Sequence, residues 1–367
     1  MVYKAIGLMS GSSLDGLDIA YVHFQETGGK WSMDIQQATT VAYDRDWHDR
    51  LQEAIHLNAM DYLLLHSDYG HFIGRAVNHF IEEYGLWHKV DMIASHGHTT
   101  FHMPLRQMTG QLGDGAAIAA ETGLPVISDL RALDIAFGGQ GAPIVPIGEK
   151  LLLSEYEFLL NLGGIANISF RHNDHYYAYD ICPANRVLNL LVKPMGLTMD
   201  ADGALAASGK SSASLLRSLE ALDYYGLPYP KSLSNDFGTD VVYPMVKAAG
   251  LSVPDALHSF VDHIALQIKK EILMLAAKEN LPIKGQRLLV TGGGALNGFL
   301  VQRIAEELAD IGLTLVVPDR KMIEYKEAVV MALIGVLRWR EEYNVLSSVT
   351  GASRDSIGGA LWLGTEA

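Results

Sequence analysis

The sequence predicts an α/β protein of two similar lobes, and three observations support this fold class. Residues 3–24 read as two apolar strands joined by a loop of glycine, serine and aspartate, which is the pattern of a hairpin. Residues 158–170 repeat that pattern around Gly163 and Gly164, about one domain length further along the chain. Elsewhere, short apolar strands alternate with segments of helical periodicity, at residues 46–83, 256–278 and 327–339. The duplicated strand-and-glycine motif therefore indicates duplicated lobes.

The composition excludes several functional classes. The chain has 367 residues, enough for two or three domains, and 49% of them are hydrophobic, which allows a large core. Its net charge of −14 argues against a nucleic-acid partner, which requires basic surfaces. The single cysteine, Cys182, permits no internal disulfide and favours a reducing compartment. With no signal-peptide pattern and no apolar run of membrane-spanning length, we expect a cytoplasmic protein with no membrane partner.

The loop of the first hairpin, residues 10–18, has the composition of an anion-binding site. Glycine and serine let backbone N–H groups converge on a phosphate, and aspartates beside it suit a divalent cation. The alternative is an ordinary turn that these residues merely allow. The chain contains neither G-x-x-x-x-G-K-[ST] nor a G-x-G-x-x-G that follows a strand. We therefore expect a nucleotide held by the two hairpins in a cleft between the lobes.

Two polar segments follow the first lobe's predicted helices. Residues 95–102 read as a loop with three histidines after a short buried strand, and we favour a loop that hydrogen-bonds a polar ligand. A metal site is disfavoured because no nearby cysteine or carboxylate completes a tetrahedral set. Residues 137–143 are too glycine-rich to be regular. An interdomain linker and a hinge that lines the cleft are both consistent with them.

Asp180 is the candidate general base. It ends a predicted strand, residues 176–180, and faces the start of a helix that begins just after Pro183. A carboxylate there is well placed beside a phosphoryl group in transfer, although a helix-capping aspartate would look the same. Cys182 shows no histidine pattern that would activate a nucleophile. Residues 292–297 follow another strand and would let a base or ribose lie against bare backbone.

The order of motifs along the chain resembles the anhydro-N-acetylmuramic acid kinase family. The matching stretches are GLMSGSSLDGLDIA, SHGHTTFHMP, DLRALDIAFGGQGAPIVP, LNLGGIANISF, YDICPAN, DADGALAASG, VTGGGALN, EAVVMALIG and TGA. The resemblance spans essentially the whole chain. It implies the two-lobed actin-like ATPase fold, with duplicated ribonuclease-H-like domains and ATP in the interlobe cleft. It places the N-terminal lobe at residues 1–140 plus 345–367 and the C-terminal lobe at residues 141–344, and it implies a homodimer.

The resemblance also implies an activity. With ATP and Mg²⁺, the family converts 1,6-anhydro-N-acetylmuramic acid and water to N-acetylmuramic acid 6-phosphate during recycling of the bacterial cell wall. In that reaction Asp180 takes a proton from the water that attacks C1, and the freed O6 attacks the γ-phosphate. A general base of this kind contributes about 10²–10⁴-fold in rate.

Site residues follow from the resemblance position by position. The ATP site is assigned to Gly11, Ser12, Ser13, Leu14, Asp15, Gly16, Leu17, Asp18, Gly163, Gly164, Gly292, Gly293, Gly294 and Asn297, with Asp15 also assigned to Mg²⁺. The sugar site is assigned to Ser10, His96, His98, Asp129, Arg131 and Asn185, where Arg131 pairs with the lactyl carboxylate. The catalytic residues are Asp180 and Glu327. Glu327 matches a glutamate near the family's active site, and whether it binds metal or nucleotide is left open.

Three segments depart from the family pattern. Residues 180–185 read DICPAN where the family has Asp-Thr-Gly-Pro-Gly-Asn, His98 replaces a glutamine, and residues 231–236 lack the arginine of Lys-Ser-Thr-Gly-Arg-Glu. These changes fall where sugar and phosphate are expected to meet, so they bear on rate and specificity. The alternative function is a sugar or nucleotide sensor of weak or no activity on the same fold. Retention of Asp180 and of the glycines favours the enzyme.

Overall fold

The computed structural model describes residues 1–11, 13–173 and 175–364. Among these, the strands are β1 (Val2–Ser10), β2 (Gly16–Thr27), β3 (Lys30–Ala42), β4 (Met92–Met103), β5 (Met108–Leu112), β6 (Val126–Ser128), β7 (Phe158–Leu162), β8 (Ile165–His172), β9 (His175–Pro183), β10 (Arg287–Thr291), β11 (Thr314–Val316) and β12 (Ala360–Trp362). The α-helices are α1 (Arg45–Gln52), α2 (Ala59–Glu83), α3 (Gly115–Thr122), α4 (Ala132–Ala136), α5 (Pro146–Leu152), α6 (Asn185–Val192), α7 (Ala204–Ser208), α8 (Ala213–Glu220), α9 (Tyr243–Ala248), α10 (Val253–Glu279), α11 (Gly298–Ala309), α12 (Arg320–Trp339) and α13 (Ser347–Thr350).

The chain forms two compact units that repeat one sheet topology. The first unit comprises Met1–Ser154 and Tyr325–Ala367, and the second comprises Glu155–Glu324. The first unit's strands run β12-β6-β4-β1-β2-β3, with β5 on β4, and the second unit's run β11-β10-β7-β8-β9. In each, three antiparallel strands form a meander whose first strand pairs in parallel with a later strand. This duplicated ribonuclease-H-like order confirms the predicted actin-like fold class.

In the first unit, β1 packs different residues on its two faces, as strand alternation requires. Ile6 and Leu8 are fully buried in the core that includes Tyr69 of α2. On the opposite face, a Cβ at Gly7 would lie 1.8 Å from the backbone oxygen of Ala328 in α12. Only glycine allows so close an approach, so α12 is fixed against the strand that leads into the 10–18 loop.

The boundaries of the units differ from those predicted for the lobes. Residues 141–154 and 325–344 belong to the first unit, whereas the prediction assigned them to the second. The reason is packing between α5 and α12: a Cβ at Gly148 would lie 2.4 Å from the side chain of Val330, and Lys326 forms a buried ion pair with Glu149 at 3.0 Å.

The core of the second unit is built around α10. Ser252 caps its N-terminus by accepting a hydrogen bond from the backbone N–H of Asp255, and Asn280 ends it in a left-handed conformation. The buried residues along it include Phe260, Ile264, Ile268, Ile272 and Leu275. Burial of each such side chain contributes about 1.5–3 kcal/mol, so α10 is a rigid support for whatever contacts it.

Two predicted elements take another form in the structure. Residues 95–102 belong to the strand β4, so the predicted loop is wrong: residues 98–103 pair with β5. The continuous helical stretch predicted from residue 46 to residue 83 is α1 and α2, separated by the turn Glu53–His56. In the described part of the chain, no helix combines the length and apolar character needed to cross a membrane.

Candidate active site

Asp180 lies at a β-bulge in β9 of the second unit. Ala166 pairs with Cys182 and Asn167 pairs with Asp180, which makes Ile181 the extra residue of the bulge. A bulge bends a strand and redirects its side chains, and such bulges are common beside active sites. The strand predicted for this region is confirmed, and the bulge turns the Asp180 carboxyl towards residues 231–233.

Four hydrogen bonds fix the position of Asp180. Its Oδ2 accepts from the backbone N–H of Leu233 at 2.9 Å and from the Ser232 hydroxyl at 3.3 Å. Its backbone N–H donates to Lys231 O at 3.1 Å, and its backbone oxygen accepts from the Tyr224 hydroxyl at 2.7 Å. Within the described residues both carboxylate bonds reach Oδ2, so Oδ1 is the oxygen left to accept a proton.

The electrostatic setting suits a base. Burial raises the pKa of the Asp180 carboxyl above its usual range, and the hydrogen bonds from Leu233 and Ser232 offset part of that effect. A raised pKa makes the ionised carboxylate a stronger proton acceptor. The same burial raises the pKa of the Cys182 thiol, so this fully buried side chain is an inert core residue, as the sequence predicts.

Gly163 and Gly164 form the turn between β7 and β8, and none of their contacts with the described residues requires glycine there. Neither adopts a positive φ. A Cβ would lie 3.4 Å from its nearest neighbour at Gly163 and 3.7 Å at Gly164, which are ordinary contacts. Their carbonyl oxygens accept from the backbone N–H groups of Asn185 and Ala184, at 3.1 and 2.9 Å. The exposed backbone of this pair is thereby tied to the end of the strand that carries Asp180.

Asn185 lies beside the predicted glycine triplet. Its Nδ2 donates to Leu162 O at 3.0 Å. A Cβ at Gly294 would lie 3.1 Å from its Oδ1, and a Cβ at Gly293 would lie 3.9 Å from its Nδ2. The structure therefore groups Asn185 with two of the predicted nucleotide-binding segments, whereas the resemblance placed it at the sugar.

The three glycines at residues 292–294 have different structural roles. Gly292 has a φ of +80°, and a Cβ there would lie 2.8 Å from Asn161 Oδ1. At Gly294 a Cβ would lie 2.6 Å from the Leu162 side chain. Both glycines are thus required by the fold, while a Cβ at Gly293 would make only an ordinary contact, 3.9 Å from Asn185 Nδ2. Of the three, Gly293 is the residue whose glycine identity fits close approach of a ligand.

Asn297 is the N-cap of α11. Its Oδ1 accepts from the backbone N–H of Leu300 at 3.0 Å, and a Cβ at Gly203 would lie 2.3 Å from that oxygen. An asparagine before a helix is a strong capping signal. Helix capping therefore accounts for this side chain, and its assignment to adenosine stays a prediction.

In the first unit, the 10–18 loop combines open and packed positions; Ser12 lies outside the described residues. Gly11 has its nearest neighbour for a Cβ at 3.6 Å, whereas a Cβ at Gly16 would lie 2.6 Å from Val41 O. Gly16 therefore serves the pairing of β2 with β3. The side chains of Ser13 and Asp15 are exposed, and Leu14 between them adopts a positive φ. Leu17 is buried in the core, and the Asp18 carboxylate accepts a hydrogen bond from the Thr40 hydroxyl.

Ser10 and His98 are joined in one buried cluster. Ser10 Oγ lies 3.2 Å from His98 Nδ1 and accepts from the Tyr43 hydroxyl at 2.8 Å. Tyr43 in turn contacts the Tyr69 hydroxyl. Burial lowers the pKa of His98, so it is a neutral hydrogen-bonding group. Tyr43 lies at the end of β3 with no motif around it, and sequence reasoning missed it.

Arg131 and His96, both predicted at the sugar, contact each other directly. Arg131 Nε donates to His96 Nε2 at 2.8 Å, while His96 Nδ1 donates to Gly97 O at 2.9 Å. Burial and the charge of Arg131 lower the pKa of His96 to about 3, which matches a neutral imidazole that accepts at Nε2. Burial also lowers the pKa of Arg131 to about 10, and the carboxylate of Glu327 partly offsets it.

The remaining donors of Arg131 are therefore well oriented. Its Nη1 donates to Gly141 O. Within the described residues, Nε and Nη1 are the nitrogens in use, which leaves Nη2 available to an anion. The exposed Glu327 of α12 interacts with Arg131 electrostatically, so the structure brings these two predicted residues together.

Asp129 and the glycine-rich segment that follows it have different surroundings within the first unit. Asp129 is exposed with a φ of +56°, and the side chain that acts on its carboxyl electrostatically is that of His66. Asp134, which the sequence did not single out, anchors residues 137–143: its Oδ2 accepts from Gly141 N at 2.8 Å and its Oδ1 from the Thr350 hydroxyl at 2.7 Å. This segment lies inside the first unit, so it is an anchored loop and the linker interpretation is wrong.

No group of three or more histidine, cysteine, aspartate or glutamate side chains suited to hold a metal ion occurs among residues 1–11, 13–173 and 175–364. His96 and His98 instead bond Arg131 and Ser10. An ion held by the described residues would take fewer than three such side chains and complete its shell with ligand oxygens and water, which is common for Mg²⁺ at nucleotides.

Comparison with known proteins agrees with the motif order. A family model described as anhydro-N-acetylmuramic acid kinase matches residues 3–364. Proteins named anhydro-N-acetylmuramic acid kinase include one from Synechococcus elongatus, 31% identical over 99% of this chain and 100% of its own. Those from Rhodospirillum rubrum and Shewanella sediminis are 31% and 32% identical, covering 98% and 97% of this chain and 94% and 98% of theirs.

Among solved structures, the activator of the 2-hydroxyisocaproyl-CoA dehydratase from Clostridium difficile with bound ADPNP has a TM-score of 0.45 and 14% identity, covering 92% of this chain and 96% of that one. That likeness is too low to add to the strand order described above. The family model and the relatives, in contrast, cover nearly every residue. The chain belongs to the anhydro-N-acetylmuramic acid kinase family.

Proposed function

We propose that this protein is an ATP-dependent kinase that opens 1,6-anhydro-N-acetylmuramic acid with water and phosphorylates O6, giving N-acetylmuramic acid 6-phosphate for cell-wall recycling. The observation that carries the proposal is Asp180. Its carboxyl is held at a β-bulge through Oδ2 and has its pKa raised by burial. A carboxylate with one oxygen anchored and the other available is suited to take a proton from a water molecule.

Asp180 acts at the start of the proposed reaction. It accepts the proton of the water that attacks C1, and the bond from C1 to O6 breaks. O6 then attacks the γ-phosphorus, the bond from that phosphorus to the β-phosphate oxygen breaks, and ADP leaves. The four hydrogen bonds around Asp180 hold its oxygen in place during this step. Correct placement of reacting groups is a large part of catalysis in phosphoryl transfer.

The residues present fit ATP. At Gly11, Gly163, Gly164 and Gly293, neither a positive φ nor packing among the described residues demands glycine, so a backbone that side chains leave uncovered is their shared property. Of the four, Gly163 already donates its N–H to Ile165 O at 3.2 Å. Unshielded N–H groups are what phosphate oxygens bind. ATP supplies the phosphoryl group when bound. In each unit, these glycines would keep the backbone accessible to its phosphates.

Asp15 would hold Mg²⁺. Its side chain is exposed next to Gly16 at the end of the 10–18 loop. One carboxylate with phosphate oxygens and water is a common magnesium environment, so the lack of a cluster of three ligand side chains among the described residues is compatible with the ion. The ion would neutralise phosphate charge.

Arg131 would bind the carboxylate of the sugar's lactyl group. His96 and Gly141 fix its Nε and Nη1, so the guanidinium is oriented before a ligand arrives. A pre-oriented arginine loses little conformational entropy on binding a carboxylate. We further propose that the protein works in the cytoplasm, where ATP is available, and as a homodimer, as expected from the family.

The test is ADP release by purified protein with ATP and Mg²⁺, with and without 1,6-anhydro-N-acetylmuramic acid, together with the mass of the product. We expect one ADP for each sugar consumed and a product of the mass of N-acetylmuramic acid 6-phosphate. Binding of both ligands by calorimetry without ADP release would reject the kinase and support the sensor. ADP release that ignores the sugar would indicate an ATPase instead.

A further inference from the structure

We infer that the buried ion pair between Lys231 and Glu271 is a positioning device for Asp180, which anchors the segment 231–233 to helix α10 and thereby fixes the catalytic carboxyl. This inference rests on the proposed function, because it assigns Asp180 the role of base. Lys231 and Glu271 are therefore positioning residues that act through Asp180 and not on the substrate.

Residues 231–233 surround Asp180 on two sides. Lys231 O accepts from the backbone N–H of Asp180 at 3.1 Å, and two residues later the Leu233 N–H donates to its carboxylate at 2.9 Å. The Ser232 hydroxyl between them reaches the same oxygen at 3.3 Å. Any displacement of this short segment therefore moves the donors of the carboxylate and the acceptor of its backbone N–H together.

The side chain of Lys231 ties that segment to the core. Its Nζ lies 3.1 Å from Glu271 Oε2, and the two side chains are only 4% and 9% exposed. Glu271 belongs to α10, the long buried helix of the second unit. Lys231 Nζ also lies 5.1 Å above the ring of Tyr224, whose hydroxyl donates to Asp180 O at 2.7 Å. Two residues bind the Asp180 backbone, Lys231 through its carbonyl oxygen and Tyr224 through its hydroxyl. The ion pair includes the first and contacts the ring of the second.

A purely stabilising role explains the pair less well. The desolvation of two buried charges largely cancels their attraction, and well-packed apolar replacements are often as stable. What an ion pair provides is a directional contact that places one segment relative to another. Here that segment is the one that donates to the Asp180 carboxylate.

The pair also borders a cavity of about 570 Å³ in the second unit, which is lined by Lys231, Glu271, Gln267, Met274 and Lys278, among others. This cavity offers a route for a small amine to reach Glu271 when the lysine side chain is shortened. Ethylammonium can then supply the missing cation, although it is not tethered to the backbone of residue 231.

The experiment compares wild type, Lys231→Ala and Glu271→Gln. We expect kcat to fall by about tenfold to hundredfold in both variants, because a base displaced by about 1 Å loses efficiency, while the KM for ATP stays within about twofold. Added ethylammonium should not restore kcat in Lys231→Ala, because the free cation neutralises Glu271 without tethering residue 231 to α10. Recovery of wild-type kcat with ethylammonium would overturn the inference. Hydrogen exchange of the Leu233 and Asp180 amides should accelerate by about tenfold in both variants.

Lys269→Ala is the matched control. Lys269 lies on the same helix and pairs with Glu307 at 2.8 Å on a partly exposed surface, so its loss should leave kcat and the Leu233 amide unchanged. Glu271→Gln keeps the side-chain volume, which preserves the test if Lys231→Ala fails to fold. Wild-type kcat or unchanged Leu233 exchange in a folded Glu271→Gln protein would overturn the inference. If the wild type shows no sugar-dependent turnover, the proposed function fails, and the exchange comparison still decides the positioning role.

Discussion

Replacing Gly164 by alanine tests whether the turn between β7 and β8 binds a nucleotide phosphate. Its φ is not positive, and the new Cβ would lie 3.7 Å from its nearest neighbour. We therefore expect the free energy of unfolding to stay constant or rise by about 0.4–1 kcal/mol through loss of freedom in the unfolded chain. A phosphate that approaches this backbone would instead meet the methyl group. Loss of one hydrogen bond to a charged group costs about 1.5–3 kcal/mol, which weakens ATP binding by about 10- to 100-fold.

Isothermal titration with ATP and Mg²⁺ measures this loss, and Gly294→Ala provides the contrast within the same cluster. A Cβ at Gly294 would lie 2.6 Å from the Leu162 side chain, so overpacking should cost about 1–3 kcal/mol of stability and lower the melting temperature by several degrees. Gly164→Ala should therefore lose affinity without stability, and Gly294→Ala should lose stability. If Gly164→Ala bound ATP as tightly as wild type, the phosphate-binding role of this turn would be refuted.

Three further changes have distinct readouts. The Ser232 hydroxyl lowers the pKa of Asp180, so Ser232→Ala should raise that pKa. Because the base must be ionised to act, the acidic limb of the kcat/KM profile should move to higher pH. An acidic limb at its wild-type pH would contradict this. His96→Ala removes the acceptor of Arg131 Nε and should raise the KM for the anhydro sugar by about tenfold, with that for ATP unchanged as the internal control. Gly7→Ala would place a Cβ 1.8 Å from a backbone oxygen of α12 and should cost at least about 1–3 kcal/mol in urea unfolding; a wild-type midpoint would argue against that packing.

The sequence was sufficient for elements with clear periodicity. The two hairpins and α10 have strong apolar patterns, and the structure confirms them with small changes at their ends. The prediction of a loop at residues 95–102 was wrong because histidine, threonine and glycine are typical of loops. In the structure, pairing with β5 keeps these residues in a strand. The start of α12 at Arg320 was missed because charged residues precede the apolar stretch predicted to begin at Glu327.

The site was predictable only where a motif marks it. Asp180 follows from its strand and the family pattern, but Tyr224 and Glu271 contact the site from 44 and 91 residues further along, with no local signal. Nor can a sequence separate glycines that packing requires from glycines that leave the backbone open. Gly294 and Gly293 are adjacent, yet only the first would clash with a neighbouring side chain.

The most direct measurement is the rate of sugar-dependent ADP release by wild type and by Asp180→Asn, with ATP and sugar binding measured on both proteins. Asparagine keeps an oxygen for the Leu233 N–H but cannot accept the proton of water. We predict that kcat falls by about 10²–10⁴-fold while both ligands still bind with near wild-type affinity. Retention of wild-type kcat in Asp180→Asn would contradict the assignment of Asp180 as the general base.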